Sequence, residues 1–340
     1  MKTNYKIIFL FIALLFGYLC AFGQSVLAVE KVSITVSNLD KSIDFYTQVL
    51  NFKKESVEKI SGKKAQKLFG LSAENPTVQI ATLKIGDEII ELMEFSNTPP
   101  NRPIPLDSKS NDLWFQHIAI VVDNMEVAYE KVKKAKVVHV STSPQILPEY
   151  ISAAAGIKAF YFQDPDGHNL ELIYFPKNKG NDKWHQEKKI MVNNNPSNFL
   201  GIDHTAIGIA DTDESYLFWR DILKLEVGGH SENYGPEQEH LNQIFGARLF
   251  ITGLHTNEGF GIEFLDYIAP PGGRAYPADS QPTDLWHWHT TLKVDGLDEL
   301  AKQLLDSGFQ FISNGIVQLE NSQKALMVRD PDGHAVLLLE

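Results

Sequence analysis

The sequence predicts an α+β protein built from four copies of a βαβββ module. Three repeated features support this prediction. The pentapeptide DPDGH occurs twice, at Asp164–His168 and at Asp330–His334. The tripeptide DLW also occurs twice, at Asp112–Trp114 and at Asp284–Trp286, each time with a histidine five residues after the aspartate. Longer upstream segments align as well, and repetition of this length indicates repeated structural units.

The repeats divide the chain into two homologous halves, residues 29–178 and 200–340, because Val29–Phe52 aligns with Ile202–Leu225. The polar stretch 179–199 between them is interpreted as a solvated linker. Each half divides again, so the predicted modules are residues 29–98, 112–178, 200–268 and 284–340.

Each module begins with a short β-rich run that precedes an amphipathic helix. The four β-rich runs are residues 32–37, 118–122, 205–209 and 290–294. In the first helix Ile43, Tyr46 and Leu50 recur at helical spacing. Asn38 or Asp40 precedes this helix as a candidate cap. Tyr216, Trp219 and Ile222 repeat the pattern in the third module.

The last two strands of the second and fourth modules are joined by Asp-Pro-Asp-Gly. Proline suits the second position of a turn and glycine suits the left-handed position, so the segment predicts a hairpin turn. His168 and His334 follow the turn glycine and are interpreted as turn residues. Trp114 and Trp286 occupy equivalent positions, which favours a packing role.

Residues 1–23 are typical of an export signal. Lys2 and Lys6 form a basic start, Ile7–Leu19 is an apolar run, and small residues precede a cut between Gly23 and Gln24. We therefore expect an exported protein, periplasmic or secreted, without stable membrane insertion after cleavage. A membrane anchor is a second interpretation, but a span needs ~20 apolar residues and this run is shorter.

Cys20 is the single cysteine of the sequence and falls within the predicted signal. A lipoprotein attached at Cys20 is a third interpretation, disfavoured by the bulky Leu19 before it. After cleavage, disulfides and thiolate chemistry are excluded, and a metal ion would have nitrogen and oxygen ligands. The net charge of −12 and the absence of a basic cluster argue against nucleic acid as a partner.

These features together resemble the vicinal oxygen chelate superfamily, which includes glyoxalases, extradiol dioxygenases and bleomycin-resistance-type binding proteins. The resemblance rests on the residue that opens each first strand, on the helix segment NLDKSIDFYTQVLNF, and on DPDGHNLEL leading into a last strand. It covers nearly the whole chain after the predicted signal. It implies that the modules pair into two domains with curved, barrel-like mixed sheets, and it leaves the reaction open.

The resemblance also implies four inward positions around one metal ion in each pair of modules. They are the residue that opens the first strand and one residue in the last strand of each module. If modules pair within each half, half one offers Lys31, Glu91, His117 and Glu171. Half two then offers His204, Glu263, His289 and Leu337. Strands suit ligands because alternate side chains face the cavity at fixed angles.

We predict the metal ion in half two, on His204, Glu263 and His289, with His287 as an alternative to His289. Two imidazoles and one carboxylate suit Fe²⁺, and also Mn²⁺, Zn²⁺, Co²⁺ or Ni²⁺. A weaker second site is predicted on Glu91, His117 and Glu171.

Half one has Lys31 at its fourth ligand position. The simpler interpretation pairs Lys31 with Glu91 or Glu171 and leaves a metal-free pocket. In the alternative, Lys31 points away or acts on the substrate as a base.

Glu263 is also a predicted catalytic residue. The polar and aromatic run His230–Gly246 falls where strands of this family edge the pocket, so Tyr234 and His240 are predicted catalytic or substrate-contacting residues, with Glu239 beside them. A surface hairpin is an equally open interpretation of this run.

Two functional hypotheses follow. The first is an exported enzyme that uses a divalent metal ion to polarise vicinal oxygens of a small-molecule substrate, as an isomerase, a lyase or a ring-cleaving dioxygenase. The alternative is a metal-free protein that binds or sequesters a small molecule, like the bleomycin-resistance proteins. A homodimer is left open, because modules of this family also pair between chains.

Overall fold

The structure, a computed structural model, describes residues 25–186, 191–192, 195–319 and 322–340. The predicted export signal, residues 1–23, lies outside the described residues. In the described part of the chain, no helix has the length and the apolar character needed to cross a membrane.

The four predicted modules are present, each with a first strand, a helix and further strands. Module 1 contains β1 (Ser25–Thr35), α1 (Leu39–Gln48), β2 (Lys53–Ser61), α2 (Gly62–Phe69), β3 (Thr77–Ile85) and β4 (Glu88–Ser96). Module 2 contains β5 (Gln116–Val122), α3 (Met125–Lys134), β6 (Val138–His139), β7 (Gln145–Ile146), β8 (Lys158–Gln163) and β9 (Asn169–Tyr174).

The second half repeats this order after a 3₁₀ helix (Asp182–His185) and the short strands β10 (Met191–Val192) and β11 (Asn195–Pro196). Module 3 contains β12 (Phe199–Ile209), α4 (Thr212–Tyr216), a π-helical continuation (Leu217–Ile222), β13 (Glu226–Tyr234), α5 (Pro236–Asn242), β14 (Arg248–His255), β15 (Glu258–Gly259) and β16 (Gly261–Ala269). Module 4 contains β17 (Trp288–Asp295), α6 (Leu297–Asp306), β18 (Val317–Gln318), β19 (Lys324–Arg329) and β20 (Ala335–Leu339).

The modules pair two by two into mixed sheets, which confirms the predicted fold class, but the pairs cross the two halves. Modules 1 and 4 form one sheet, here called the 1–4 sheet, in the order β18-β19-β20-β17-β1-β4-β3-β2. Modules 2 and 3 form the other, the 2–3 sheet, in the order β13-β14-β16-β12-β5-β9-β8-β6. At the centre of each sheet two first strands run antiparallel, β1 beside β17 and β12 beside β5.

The expectation that modules pair within residues 29–178 and within residues 200–340 is therefore wrong. Within a single module, one edge of the first strand has no partner strand. The first strand of any other module can form the missing backbone hydrogen bonds equally well. The local pattern of apolar residues does not distinguish these partners, because it fixes only which face of a strand is buried. Both halves consequently contribute to both sheets.

The main hydrophobic core lies between the helices and the faces of both sheets that turn toward them. Alternate strand residues such as Val32 and Ile34 enter this core, together with the predicted helix residues Ile43, Tyr46 and Leu50. Asn38, and not Asp40, caps α1, because its side chain accepts a hydrogen bond from the Lys41 backbone amide. The opposite face of each sheet is concave and carries the polar side chains discussed below.

Both repeated motifs join the halves. Arg102 binds Asp284 at 2.7 and 2.8 Å and lies 4.8 Å above the Trp286 ring. Arg274 makes the equivalent contacts to Asp112, at 2.7 Å, and to the Trp114 ring, at 4.7 Å. Each DLW motif thus binds an arginine from the opposite half, and its tryptophan has the predicted packing role.

The DPDGH segments form the predicted hairpin turns, with the turn glycines Gly167 and Gly333 at positive φ. Their histidines are buried structural residues. His168 Nε2 donates to the Leu285 carbonyl at 2.7 Å, and His334 Nε2 donates to the Gly208 carbonyl at 2.8 Å. Each turn therefore also ties one sheet to the other.

Candidate functional site

Four ionisable side chains converge on the concave face of the 2–3 sheet. His117 lies on β5, Glu171 on β9, His204 on β12 and Glu263 on β16, and we call this set the His–Glu cluster. The strand register brings them together around two small residues, because His117 is paired with Ala206 and His204 with Ala119. Glu171 lies beside Ala119 and Glu263 beside Ala206 in the adjacent parallel pairs.

Three side-chain ends of the cluster, those of His117, Glu171 and His204, lie within reach of one ion, and Glu263 approaches His204. Glu171 Oε2 is 3.1 Å from His117 Nε2 and 3.6 Å from His204 Nε2, and Glu263 Oε2 is 3.3 Å from His204 Nε2. One possible ligand atom from each of His117, Glu171 and His204 lies within 4.8 Å of the others. His117, Glu171 and His204 are buried, and Glu263 is half-buried toward a cavity.

The hydrogen bonding of the two imidazoles fits a metal ion. Neither ring nitrogen of His117 makes a well-aligned hydrogen bond, and Nε2 of His204 makes none, although all three are buried. Unpartnered buried polar atoms are rare and costly. A divalent cation between Nε2 of His117, Nε2 of His204 and the carboxylates would satisfy these two nitrogens, and two imidazoles with carboxylates suit Zn²⁺, Ni²⁺, Co²⁺, Mn²⁺ or Fe²⁺.

His204 is held by a second layer of contacts. Its Nδ1 lies 3.1 Å from Asp203 Oδ2, and Asp203 Oδ1 accepts a hydrogen bond of 2.6 Å from the Trp184 indole. A ligand histidine is commonly oriented in this way through its other ring nitrogen. Trp184 belongs to the stretch 179–199, which was expected to be a solvated linker, so for this half-buried residue that expectation is wrong.

The two carboxylates of the cluster have opposite pKa shifts. Burial alone would raise the pKa of Glu171, but His117 and His204 together outweigh burial and lower the pKa to about 2. Burial raises the pKa of Glu263, against the opposing effect of His204. Burial lowers the pKa of His117, whereas Glu263, Asp203 and Glu171 outweigh burial at His204 and raise its pKa. Glu171 therefore stays ionised, while Glu263 holds a proton more readily.

A cavity of about 160 Å³ opens above the cluster. Its polar lining includes Tyr161, Asn233 and Gln238, and its remaining lining is mostly apolar. Asn233 Nδ2 donates to Gln238 Oε1 at 3.1 Å, so both amides are fixed. The Tyr161 ring lies 4.9 Å from the His117 ring, and burial raises its pKa well above 10. The phenol consequently remains protonated and can donate to a substrate oxygen.

The predicted metal-ligand sets are divided between the two sheets. His204 and Glu263 belong to the His–Glu cluster, but His289 lies on β17 in the 1–4 sheet and His287 lies just before that strand. Glu91 of the weaker set also lies in the 1–4 sheet, whereas His117 and Glu171 are in the cluster. Both predicted groupings are therefore wrong, because the modules pair across the halves.

The predicted catalytic residues Tyr234 and His240 do not reach the cluster. His240 is exposed, because α5 buries Gln238, Leu241 and Asn242 instead. Tyr234 is exposed at the end of β13 with its ring 5.2 Å from that of Tyr150.

A surface depression lined by Tyr234 shares Ala153 and Ser231 with the lining of the cavity. The sequence reasoning missed Asp203, Tyr161, Asn233 and Gln238. Two signals were present, since Asp203 is adjacent to a predicted ligand and Tyr161 is paired with Glu171 across the β8–β9 hairpin.

The equivalent positions of the 1–4 sheet form a different site, here called the lysine site, made of Lys31, Ser33, Glu91, His287, His289 and Thr291. Lys31 Nζ contacts Glu91 Oε1 at 2.6 Å, and Ser33 Oγ donates to Glu91 Oε2 at 2.9 Å. The interpretation that pairs Lys31 with a carboxylate is confirmed. Leu337 lies in an apolar cluster with Phe69 and Met327.

Paired βαβββ modules that present histidines and glutamates on a concave sheet define the class of this protein. The chain belongs to the Glyoxalase/Bleomycin resistance protein/Dioxygenase superfamily, whose sequence profile matches residues 28–172 and 201–338. The matched segments correspond to the two sequence halves, although each sheet draws on both. Members of this superfamily are mostly enzymes.

Two known proteins illustrate the similarity. The chain is 29% identical over 152 residues to a 2-epi-5-epi-valiolone epimerase of Actinomyces sp., an alignment that covers 44% of this chain and 80% of the epimerase. The fold is similar to that of glyoxalase I from Zea mays, with a TM-score of 0.59, 15% identity and 93% of each chain covered. A mutant form of the maize enzyme gives a TM-score of 0.60 with the same identity and coverage.

Proposed function

We propose that this protein is a divalent-metal-dependent enzyme that isomerises or epimerises a small substrate with two neighbouring oxygens. One observation carries the proposal, the convergence of His117, Glu171, His204 and Glu263 with imidazole nitrogens that lack hydrogen bonds. These four side chains would hold the ion. The bound ion would supply a Lewis acid that polarises the paired substrate oxygens.

We assign different roles to the two carboxylates of the cluster. Two carboxyl groups whose environments push their pKa values apart mark the ionised partner and the proton-transferring partner. Glu171 is the ionised one, and its contacts with both histidines keep the cluster in place. Glu263 faces the cavity and is less buried than Glu171, so we assign it the transfer of a proton between the substrate carbon and a carboxylate oxygen.

The ligand number favours proton transfer over ring-cleaving oxygenation. Iron oxygenases of the two-histidine, one-carboxylate type keep several metal positions open for oxygen and substrate. Here a second carboxylate, Glu263, lies as close to His204 as Glu171 does. The similarity of this chain to an epimerase supports the same choice. The size of the cavity supports a small substrate, since pockets for drug-sized ligands occupy ~300 Å³ or more.

The first test is the metal content of the purified protein and of three histidine variants. We expect about one divalent ion per chain in the wild type, lost in His117→Ala and in His204→Ala. His289→Ala is the matched control, because it removes an equivalent buried imidazole from the other sheet and should leave the ion in place. An ion that survives His117→Ala, or a wild type that stays metal-free after loading with each divalent ion, contradicts the proposal.

We also propose that the enzyme acts outside the cytoplasm, on the strength of the signal-like residues 1–23. Expression of the full-length chain, followed by N-terminal sequencing of exported protein, should give Gln24 as the first residue. A cytoplasmic product that retains Met1 contradicts this proposal without affecting the enzymatic one.

A further inference from the structure

The lysine site is more polar at its base than the His–Glu cluster. The residues that pair beneath the ligand positions in the 2–3 sheet are Ala119 and Ala206, and the repeat places Thr291 and Ser33 at those positions in the 1–4 sheet. The buried Phe115, just before β5, is likewise replaced by His287. Three positions of the lysine site are therefore polar where the equivalent positions of the 2–3 sheet are apolar.

Several of these polar groups have no partner among the described residues. Both ring nitrogens of His287, Nδ1 of His289 and the hydroxyl of Thr291 are buried without a hydrogen bond. His289 and Thr291 alternate along β17, so they face the same concave side, and the His287 ring just before the strand lies 5.7 Å from the His289 ring. Leaving a buried polar atom unsatisfied costs the folded protein its full desolvation penalty, and a bound polar molecule would remove that cost.

The site does not suit a metal ion. The Lys31 ammonium already supplies a positive charge, and Lys31 and Ser33 occupy both oxygens of Glu91. Leu337 stands where the other sheet has Glu171 and offers no ligand atom. A divalent cation would meet the repulsion of Lys31 and only the imidazoles as free ligands.

We propose that the lysine site is a second, metal-free ligand site that binds a small uncharged molecule carrying hydroxyl groups. Its available partners are neutral. Burial lowers the pKa of His287 and His289, to about 3 for His289, so each imidazole offers one donor and one acceptor. The Thr291 hydroxyl also donates and accepts, as the hydroxyl groups of a ligand do.

The surroundings of the site favour a ligand that is uncharged and has an apolar carbon skeleton. A charged ligand would compete with the Lys31–Glu91 ion pair, whereas an uncharged one leaves it intact. Half-buried apolar side chains, Ile60, Ile80, Phe95 and Ile312, border the same concave face. They suit the carbon skeleton of a cyclic or short polyhydroxy compound.

Ligand-observed saturation-transfer NMR tests this proposal with myo-inositol and catechol as uncharged probes and inorganic phosphate as a charged one. We expect at least one uncharged probe to bind the wild type and His117→Ala with similar affinity. Thr291→Ala and His287→Phe should weaken that binding about tenfold, the loss expected for one hydrogen bond. Both variants introduce the residue that the equivalent position of the other sheet already carries, so the fold should tolerate them.

Three results of the binding experiment would overturn the proposal. They are binding of phosphate alone, failure of both uncharged probes to bind, or probe binding that is lost in His117→Ala and kept in Thr291→Ala. A second arm uses metal content, where the double variant Lys31→His with Leu337→Glu should hold one divalent ion more than the wild type. A wild-type ion that disappears in His289→Ala would show instead that the lysine site itself binds metal.

Discussion

At the scale of single residues, the resemblance to the superfamily implied eight inward strand positions but not which four of them share a site. Residue types and strand parity follow from the local sequence, so His117, Glu171, His204 and Glu263 could each be placed on an inward face. Their grouping depends on pairing between β5 and β12, which are far apart in the chain. Nothing in the local sequence of either strand encodes that partner, because the four first strands carry nearly the same pattern.

The role assigned to Glu263 predicts the effect of Glu263→Gln. The amide has nearly the same shape but cannot transfer a proton, so proton exchange at the substrate carbon should fall by about 10²–10⁴-fold. The measurement is deuterium incorporation from D₂O into an α-hydroxycarbonyl substrate, followed by NMR. Glu91→Gln, at the equivalent position of the lysine site, is the control and should exchange at the wild-type rate. Undiminished exchange in Glu263→Gln would remove this residue from the mechanism.

The contact between Asp203 and His204 predicts a weaker metal site in Asp203→Asn. An asparagine can present its amide nitrogen to His204 and thereby lose the acceptor that orients the ring, and changes of this kind cost about 10–100-fold in metal affinity. Competition with a chromophoric chelator measures the affinity directly. If the affinity is unchanged, Asp203 does not orient His204.

At the scale of elements, helices and hairpins were predictable and the π-helix was not. The spacing of Tyr216, Trp219 and Ile222 predicts an ordinary helix, and these residues are buried as that spacing requires. Helix α4 continues as a π-helix over Leu217–Ile222. This continuation changes the spacing of the backbone hydrogen bonds, but the same residues are buried. Tertiary packing selects between such hydrogen-bond patterns, and an apolar pattern of period 3.6 does not record the choice.

The second DPDGH turn predicts a pH effect that belongs to this scale. Burial and the neighbouring Asp330 raise the pKa of Asp332 to about 6, against about 4 in an unfolded chain. The native state therefore holds this proton more tightly than the unfolded state does. The resulting stabilisation is complete below about pH 4 and is lost as the pH rises through about 6.

Asp332→Asn removes this ionisation and keeps an oxygen that can accept from the Ala210 amide, which Asp332 binds at 3.0 Å. Between pH 4 and pH 7.5 the free energy of unfolding of the variant should increase relative to that of the wild type by on the order of 1–3 kcal/mol, so the variant becomes the more stable of the two. Urea unfolding at several pH values measures the difference. Parallel pH profiles for the two proteins would show that Asp332 has an ordinary pKa.

At the scale of the whole molecule, the crossed pairing makes the two halves depend on each other. The fold class was predictable, because four βαβββ modules have few ways to cover their concave faces. The partners were not, since each of β1, β5, β12 and β17 presents a similar free edge. The DLW motifs add ion pairs that only this arrangement permits, between Arg102 and Asp284 and between Arg274 and Asp112.

Separate expression of residues 25–178 and 200–340 tests the crossed pairing. Each half alone leaves β1 and β5, or β12 and β17, without their native partners, and free strand edges promote self-association. We expect each isolated half to associate with itself and the co-expressed halves to form a one-to-one complex, as measured by light scattering after size exclusion. Two stable monomeric halves that ignore each other would contradict the crossed pairing.

The position of β1 in the 1–4 sheet has a consequence for how the protein is made. Ile34 of β1 is paired with Trp288 of β17. The first strand to be synthesised therefore cannot pair with β17 until nearly the whole chain has been made. At ribosomal rates of ~5–20 residues per second, that wait lasts roughly 10–50 s. The 2–3 sheet can close during this interval, whereas the partner edge of β1 stays open. One edge of β1 therefore stays unpaired through most of the synthesis, although β4 can already pair with the other edge, and the order of the modules makes the lysine site the last part of the molecule to be completed.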